Sequence, residues 1–103
     1  ADPEPKIELI TGNKQLSKYD MAELNGYIKT AIAALSDTEW TAPEVQTTLN
    51  ALLETTGQKP GILFSIIRIA TTWAPFSPQL NDTLALLGRE TTLRRLESSL
   101  KIL

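Results

Sequence analysis

The chain has 103 residues, of which 42% are hydrophobic and 21% charged, as expected for one globular domain with a single core. It has no cysteine and no histidine, which excludes disulfides, thiol nucleophiles, imidazole bases and zinc sites built on those ligands. The net charge is −2, but residues 59–103 carry six basic and three acidic residues, whereas residues 1–58 carry four and nine. An anionic partner would prefer the second half, unless these charges only solvate exposed faces.

Residues 1–16 are predicted to form a linker or tether, followed by a helical domain at residues 17–103. Two prolines, Pro3 and Pro5, push the residues before them towards extended geometry. Residues 7–10 supply either a short strand or an apolar strip packed on the core. The segment is not a signal peptide and nothing in the chain is apolar enough to span a membrane; the missing initiator Met predicts a processed chain or an excised fragment.

Two amphipathic helices are predicted next. Apolar residues at helical spacing predict the first from about Lys18 to Leu35, with Ser17 as its N-cap. The second begins at a capping box, in which Thr41 caps the amide of Glu44 and the Glu44 side chain reaches back. Gly57 ends this helix.

Residues 62–73 are apolar almost all round, so periodicity alone does not separate a buried helix from a strand. Their β-branched content favours a strand, whereas the length of the segment between Gly61 and Pro75 favours a helix. We predict a buried central helix, because a helix that is apolar on all sides belongs in a core.

The remaining residues predict two further helices. Ser77 and Pro78 are typical of an N-cap and a first helical residue, and Gly88 ends that helix. The last helix covers about Glu90 to Leu100, with charged residues facing outwards. The sum is an all-α protein, a compact bundle or cage of about five short helices joined by short loops.

Several short motifs occur in order after residue 58: Lys59-Pro60-Gly61, Ile67-Arg68-Ile69-Ala70, Ser77-Pro78-Gln79-Leu80, Leu86-Leu87-Gly88-Arg89-Glu90 and Leu93-Arg94-Arg95-Leu96. In this order and spacing they resemble the C-terminal anticodon-binding domain of bacterial-type glutamyl-tRNA synthetases, which are class I aminoacyl-tRNA synthetases. Upstream, residues 39–44 resemble the tryptophan-led start of the family's preceding helix. The signature motifs of the family's catalytic domain are absent from the chain.

The resemblance implies a C-terminal fragment that recognises tRNA-Glu during glutamyl-tRNA aminoacylation in the cytoplasm. Such a fragment is no enzyme by itself and needs no cofactor, whereas the parent ligase is expected to use ATP and Mg. Its partners would be tRNA-Glu and the upstream catalytic domains, with neither membrane nor DNA. Because the sequence pI is about 5.0, binding by the isolated domain is expected to be weak. The alternative is a helical protein–protein interaction domain that keeps the synthetase fold without RNA binding.

Four residues match the family's anticodon-binding positions. Arg68 matches the arginine of the buried helix, whose guanidinium would stack on a base or grip it in a bidentate way. Ser77, Pro78 and Leu80 match the helix start that packs against the first anticodon base. From the residues alone, Arg68 could instead pair with Glu90 or Asp82, Ser77 and Pro78 could be an ordinary helix start, and Leu80 could belong to the core.

Four further residues are candidate RNA contacts. Arg89 and Arg94 either touch phosphates or are solvated helix charges, and the same holds for Arg95. Trp73 stands where the family usually has glycine, and a tryptophan is not expected to adopt the backbone angles open to glycine. Its ring either fills space in the core or offers a stacking face beside the anticodon pocket.

Overall fold

The computed structural model describes residues 2–103 and folds them into six α-helices without a β-strand. Among these residues no helix combines the length and the apolar character needed to cross a bilayer. Five helices have eight or more residues, which confirms the predicted all-α bundle. The helices are α1 (Glu8–Thr11), α2 (Met21–Ser36), α3 (Ala42–Thr56), α4 (Pro60–Thr72), α5 (Leu80–Leu87) and α6 (Arg89–Ser99).

The central helix is α4, which packs against each of the other five. This confirms the predicted buried helix, and the strand alternative is wrong. Its buried residues, which make up most of the helix, are Ile62, Leu63, Ile66, Ile67, Ile69, Ala70 and Thr71. After Pro60, the exposed and half-buried residues of α4 share one side, since they recur at three- and four-residue spacing. This side, called the α4 stripe below, comprises Gly61, Phe64, Ser65, Arg68 and Thr72.

The start of α2 differs from the prediction, because the helix begins at Met21 and Ser17 is not its N-cap. Residues 16–18 form a separate 3₁₀ turn instead. The side-chain oxygen of Asn13 accepts hydrogen bonds from the backbone N–H groups of Gln15 and Leu16, both at 2.9 Å. Tyr19 then takes an extended conformation, with φ −109° and ψ 144°, which separates the turn from α2.

The segment before this turn is packed against the helices, although Ala1 lies outside the described residues. The short strand does not form there, because residues 8–11 are the helix α1. Ile10 and Leu16 are both buried in the main core. Ile10 and Leu16 belong to the predicted linker at residues 1–16, yet they pack in the same core as residues of the helical domain.

The ends of the other helices follow local signals with two exceptions. Thr41 caps α3 by accepting a hydrogen bond from the Glu44 N–H at 3.2 Å, and Gly57 ends it in the left-handed conformation, with φ 71°. The return bond of the capping box is not made among residues 2–103, because the Thr41 N–H donates to the Glu39 carbonyl. The second exception is α5, which begins at Leu80 after Gln79 rather than at Ser77.

Candidate nucleic-acid interface

Arg68 lies on the α4 stripe, where its side chain is held by the loop that follows the helix. Its Nε donates a hydrogen bond to Ser77 Oγ at 2.8 Å, and Ser77 Oγ donates to the Pro78 carbonyl at 2.9 Å. Within residues 2–103 the two terminal amino groups of the guanidinium have no hydrogen-bond partner, and neither Glu90 nor Asp82 pairs with Arg68. The guanidinium is therefore oriented through Nε and can grip an acceptor with its other two nitrogens.

Ser77 was predicted to be an N-cap, and that prediction is wrong because its hydroxyl serves Arg68 instead. The exposed Pro78 is adjacent, so the structure brings Arg68, Ser77 and Pro78 together. Leu80 is only 4% exposed and belongs to the hydrophobic core, which favours a packing role for its side chain. Contact between any of these residues and an anticodon base stays a prediction.

Phe76 is a candidate residue that the sequence analysis missed. It precedes Ser77 and is 86% exposed, which is unusual for a phenylalanine. Exposed aromatic faces are the usual stacking platforms for unpaired RNA bases. The available signal was an aromatic residue placed between Pro75 and Pro78, outside any helical repeat that could bury it.

Trp73 corrects one expectation about its backbone. It does adopt a glycine-like left-handed conformation, with φ 46° and ψ 41°, and its N–H donates to the Ile69 carbonyl to end α4. Such a conformation costs about 1–2 kcal/mol in a non-glycine residue. Burial of the large indole, which is 6% exposed, offsets that cost. The ring lines a cavity of about 130 Å³ with Pro3 and Ile102, so its position favours packing over base stacking.

Arg89 is bonded to neighbouring parts of the protein. A terminal amino group donates a hydrogen bond to the Thr38 carbonyl, in the loop between α2 and α3. Its guanidinium carbon lies 5.6 Å from the ring centroid of Trp40, at cation–π distance. The Trp40 indole N–H in turn donates to the Leu84 carbonyl at 2.9 Å. Arg89 thus connects α6 to the loop, and Trp40 connects the loop to α5. The predicted contact of Arg89 with RNA would compete with its bonds to the loop.

Arg94 and Arg95 are both paired with Asp2. Arg94 makes two hydrogen bonds to the carboxylate, at 2.9 and 3.1 Å, and Arg95 Nε makes a third at 3.1 Å. Arg95 also donates to the Thr71 carbonyl at 2.8 Å, so it does not simply face outwards as predicted. Hydrogen bonds from Arg94, followed by those from Arg95, lower the pKa of Asp2 from 3.8 to about 2. The predicted RNA contact of Arg94 remains untested.

The charge around Arg68 favours an anionic ligand. No acidic residue occurs in residues 55–81, which contain Lys59 and Arg68. A different cleft, of about 390 Å³ between α2 and α3, is lined by Asp37, Glu39 and Glu44 and would repel phosphates. Within residues 2–103 no three acidic side chains are grouped to hold a metal ion.

A family model described as "Anticodon binding domain" matches residues 3–100. Because the match covers nearly the whole chain, the chain belongs to this family of anticodon-binding domains. It therefore has the form of a tRNA-binding module of the kind found in aminoacyl-tRNA synthetases.

Individual relatives agree with the family match. The chain is 45% identical over 87 residues to the glutamate–tRNA ligase of Chloroflexus aurantiacus, an alignment that covers 84% of this chain and 17% of the relative. It is 34% identical over 100 residues to the glutamate–tRNA ligase of Corynebacterium efficiens, covering 96% of this chain and 20% of the relative. The chain thus spans a fifth or less of the length of these ligases.

Proposed function

We propose that this chain binds the anticodon loop of tRNA-Glu as the anticodon-binding domain of a glutamate–tRNA ligase. The observation that carries the proposal is the arrangement of Arg68. Ser77 orients its guanidinium, and within residues 2–103 its two terminal amino groups have no hydrogen-bond partner. The surrounding acid-free segment and the similarity to glutamate–tRNA ligases support it.

The mechanism is recognition of the tRNA, with no chemistry in this domain. Arg68 hydrogen-bonds the edge of an unstacked base, and the exposed ring of Phe76 stacks on a neighbouring base. A wrong base leaves buried polar groups unpaired, which costs about 1–3 kcal/mol each. Correct contacts hold the tRNA so that its acceptor end reaches upstream catalytic domains, where ATP and Mg would be used. The parent ligase would act in the cytoplasm.

The net charge of −2 predicts weak binding by this chain alone, since phosphate contacts supply much of the affinity of RNA complexes. Affinity in the parent ligase would then depend on linkage to further tRNA contacts. A sub-micromolar dissociation constant for this chain at physiological salt would contradict this expectation.

The test is a titration at low salt with a tRNA-Glu transcript and with a transcript changed only at the first anticodon base. We expect the cognate transcript to bind about tenfold more tightly, because a lost hydrogen-bonded contact costs about 1–3 kcal/mol. The same titration is repeated with the domain fused to the catalytic domains of a related ligase. Equal affinity for both transcripts in that fusion would overturn the proposal and favour the alternative protein–protein interaction role.

A further inference from the structure

A second cleft opens beside the first turn of α4. It has a volume of about 370 Å³ and is called the lysine cleft here; its lining residues are Gln15, Lys18, Tyr19, Lys59, Gly61 and Ile62. Two parts of the chain, the 3₁₀ turn at residues 16–18 and the start of α4, supply one lysine each. The cleft contains no acidic lining residue.

The two lysines of the cleft have no protein counterion among residues 2–103. Both salt bridges there involve Asp2, and Asp20, the acidic residue nearest to Lys18 in the chain, forms none with it. Lys18 and Lys59 are both exposed. Two unpaired ammonium groups beside one concave surface raise the local concentration of an anion.

The polar walls of the cleft are held in place by short contacts. Asn13 fixes the turn that carries Lys18 through its two backbone hydrogen bonds. The Gln15 amide lies against Gly61, where an added Cβ would stand 3.1 Å from its side-chain oxygen. The absence of a side chain at Gly61 therefore lets Gln15 cover this part of the cleft.

The lysine cleft and Arg68 lie on the same side of α4. Gly61 and Arg68 are seven residues apart, which is nearly two full turns, so they point in almost the same direction, about 10 Å apart along the axis. Both belong to the α4 stripe, and no acidic residue lies between them in the chain. One RNA loop can therefore reach both sites.

We propose that the lysine cleft binds a backbone phosphate of the same RNA loop whose base is held at Arg68. Lysines bind phosphate as point charges without reading sequence, so this contact fixes the position of the loop while Arg68 reads a base. The inference rests on the proposed anticodon binding and adds to it a phosphate site that lies on a different part of α4.

The test uses the full chain and anticodon stem-loop RNAs at low salt. The double variant Lys18→Ala/Lys59→Ala is compared with Lys6→Ala/Lys29→Ala, which removes two exposed lysines outside the cleft. The cleft variant should lose about five- to tenfold in affinity, and the slope of log affinity against log salt should fall by about 0.7 per lost phosphate contact. The control pair should lose less than about twofold.

A set of stem-loops with one neutral methylphosphonate at each loop phosphate locates the contact. At one position the substitution should weaken binding by the wild-type chain and have no effect on the cleft variant, because both changes remove the same ion pair. Absence of such coupling at every position, or an equal loss in the control pair, would overturn the lysine cleft as a phosphate site.

The two proposals fail in different ways. A stem-loop with a changed first anticodon base is titrated in parallel. Base discrimination without phosphate coupling would overturn the cleft and leave the proposed function standing. Phosphate coupling without base discrimination would overturn anticodon reading and leave the cleft as an RNA phosphate site.

Discussion

Arg68 of α4 and the three arginines of α6 differ in how their guanidinium groups are bonded within the protein. On α4, Arg68 makes one hydrogen bond to a serine and leaves its terminal amino groups without a partner in residues 2–103. On α6, Arg89 bonds to a carbonyl and lies over Trp40, and Arg94 and Arg95 bond to Asp2. Of these four arginines, only Arg68 leaves both of its terminal amino groups without a hydrogen bond within residues 2–103.

The direction of the side chains increases this difference. Arg89 lies on a different side of α6 from Arg94 and Arg95, because each residue turns the chain by about 100°. The guanidinium groups of Arg94 and Arg95 converge on Asp2, which neutralises part of their charge. Arg68 instead shares its side of α4 with the lysine cleft. The positive charge of the second half of the sequence is therefore an unreliable guide to an RNA surface, since fixed orientation and unbonded donors also matter.

The largest expected effect is on RNA binding at α4. Arg68→Ala should weaken binding of the cognate stem-loop by about tenfold or more, since hydrogen bonds from a charged group contribute about 1.5–3 kcal/mol. The free energy of unfolding, measured with urea, should fall by no more than about 1 kcal/mol, because one hydrogen bond, to Ser77, is lost. Arg68→Lys keeps the charge but lacks the fork, so it should bind only slightly better than Arg68→Ala.

The opposite pattern is expected at α6. Arg89→Ala removes the hydrogen bond to Thr38 and the contact with Trp40, so unfolding should become easier by about 1–2 kcal/mol. The affinity of the folded protein for the stem-loop should change by less than about twofold. Unchanged stability together with a tenfold loss of affinity would instead identify Arg89 as an RNA contact and remove the contrast between the two helices.

A smaller effect is expected at the residue that positions Arg68. Ser77→Ala removes the acceptor for Arg68 Nε, so affinity should fall by about two- to fivefold, the equivalent of a net hydrogen bond of about 0.5–1 kcal/mol. The effect should vanish in an Arg68→Ala background, because the serine acts through the arginine. Ser65→Ala, also on the α4 stripe, is the matched control and should leave affinity unchanged. An equal loss in both serine variants would contradict the positioning role.

Helix boundaries that depend on residues close in the chain could be predicted from the sequence. Thr41, Glu44 and Gly57 determine where α3 begins and ends, and both signals lie within a few residues of the helix they act on. The central helix α4 was predicted from length and all-round apolar character. Helices with strong local signals were therefore predicted with nearly correct boundaries.

Two of the errors arise from contacts that exist only in the folded protein. Ser77 looks like a helix cap, but Arg68 on the preceding helix takes its oxygen. Trp73 adopts a left-handed conformation because its burial in the folded protein outweighs its backbone preference. Arg68 and Ser77 were both predicted to be site residues, but their mutual contact depends on how the loop folds back over α4.

The smallest effect on stability is expected at Asp2, whose carboxylate accepts hydrogen bonds from Arg94 and Arg95 of α6. Since the pKa of Asp2 is lowered from 3.8 to about 2, its pairing contributes stability above about pH 4 and loses it as the pH falls through 2. The melting temperature of Asp2→Asn should therefore lie slightly below that of the wild type near pH 7. The difference should narrow between pH 4 and pH 2, and high salt should reduce it as well.

The same variant, Asp2→Asn, tests whether α6 still contributes less than α4 to RNA binding when Asp2 no longer pairs with its arginines. Asp2→Asn leaves Arg94 without its carboxylate partner, whereas the control Asp37→Asn makes the same charge change at an exposed residue far along the chain. We expect both variants to bind the stem-loop equally well, because Arg95 stays bonded to the Thr71 carbonyl and Arg89 to the Thr38 carbonyl when Asp2 is replaced. A gain in affinity specific to Asp2→Asn would mean that Asp2 masks a second RNA-binding surface. The contrast would then depend on the N-terminal segment rather than on the helices themselves.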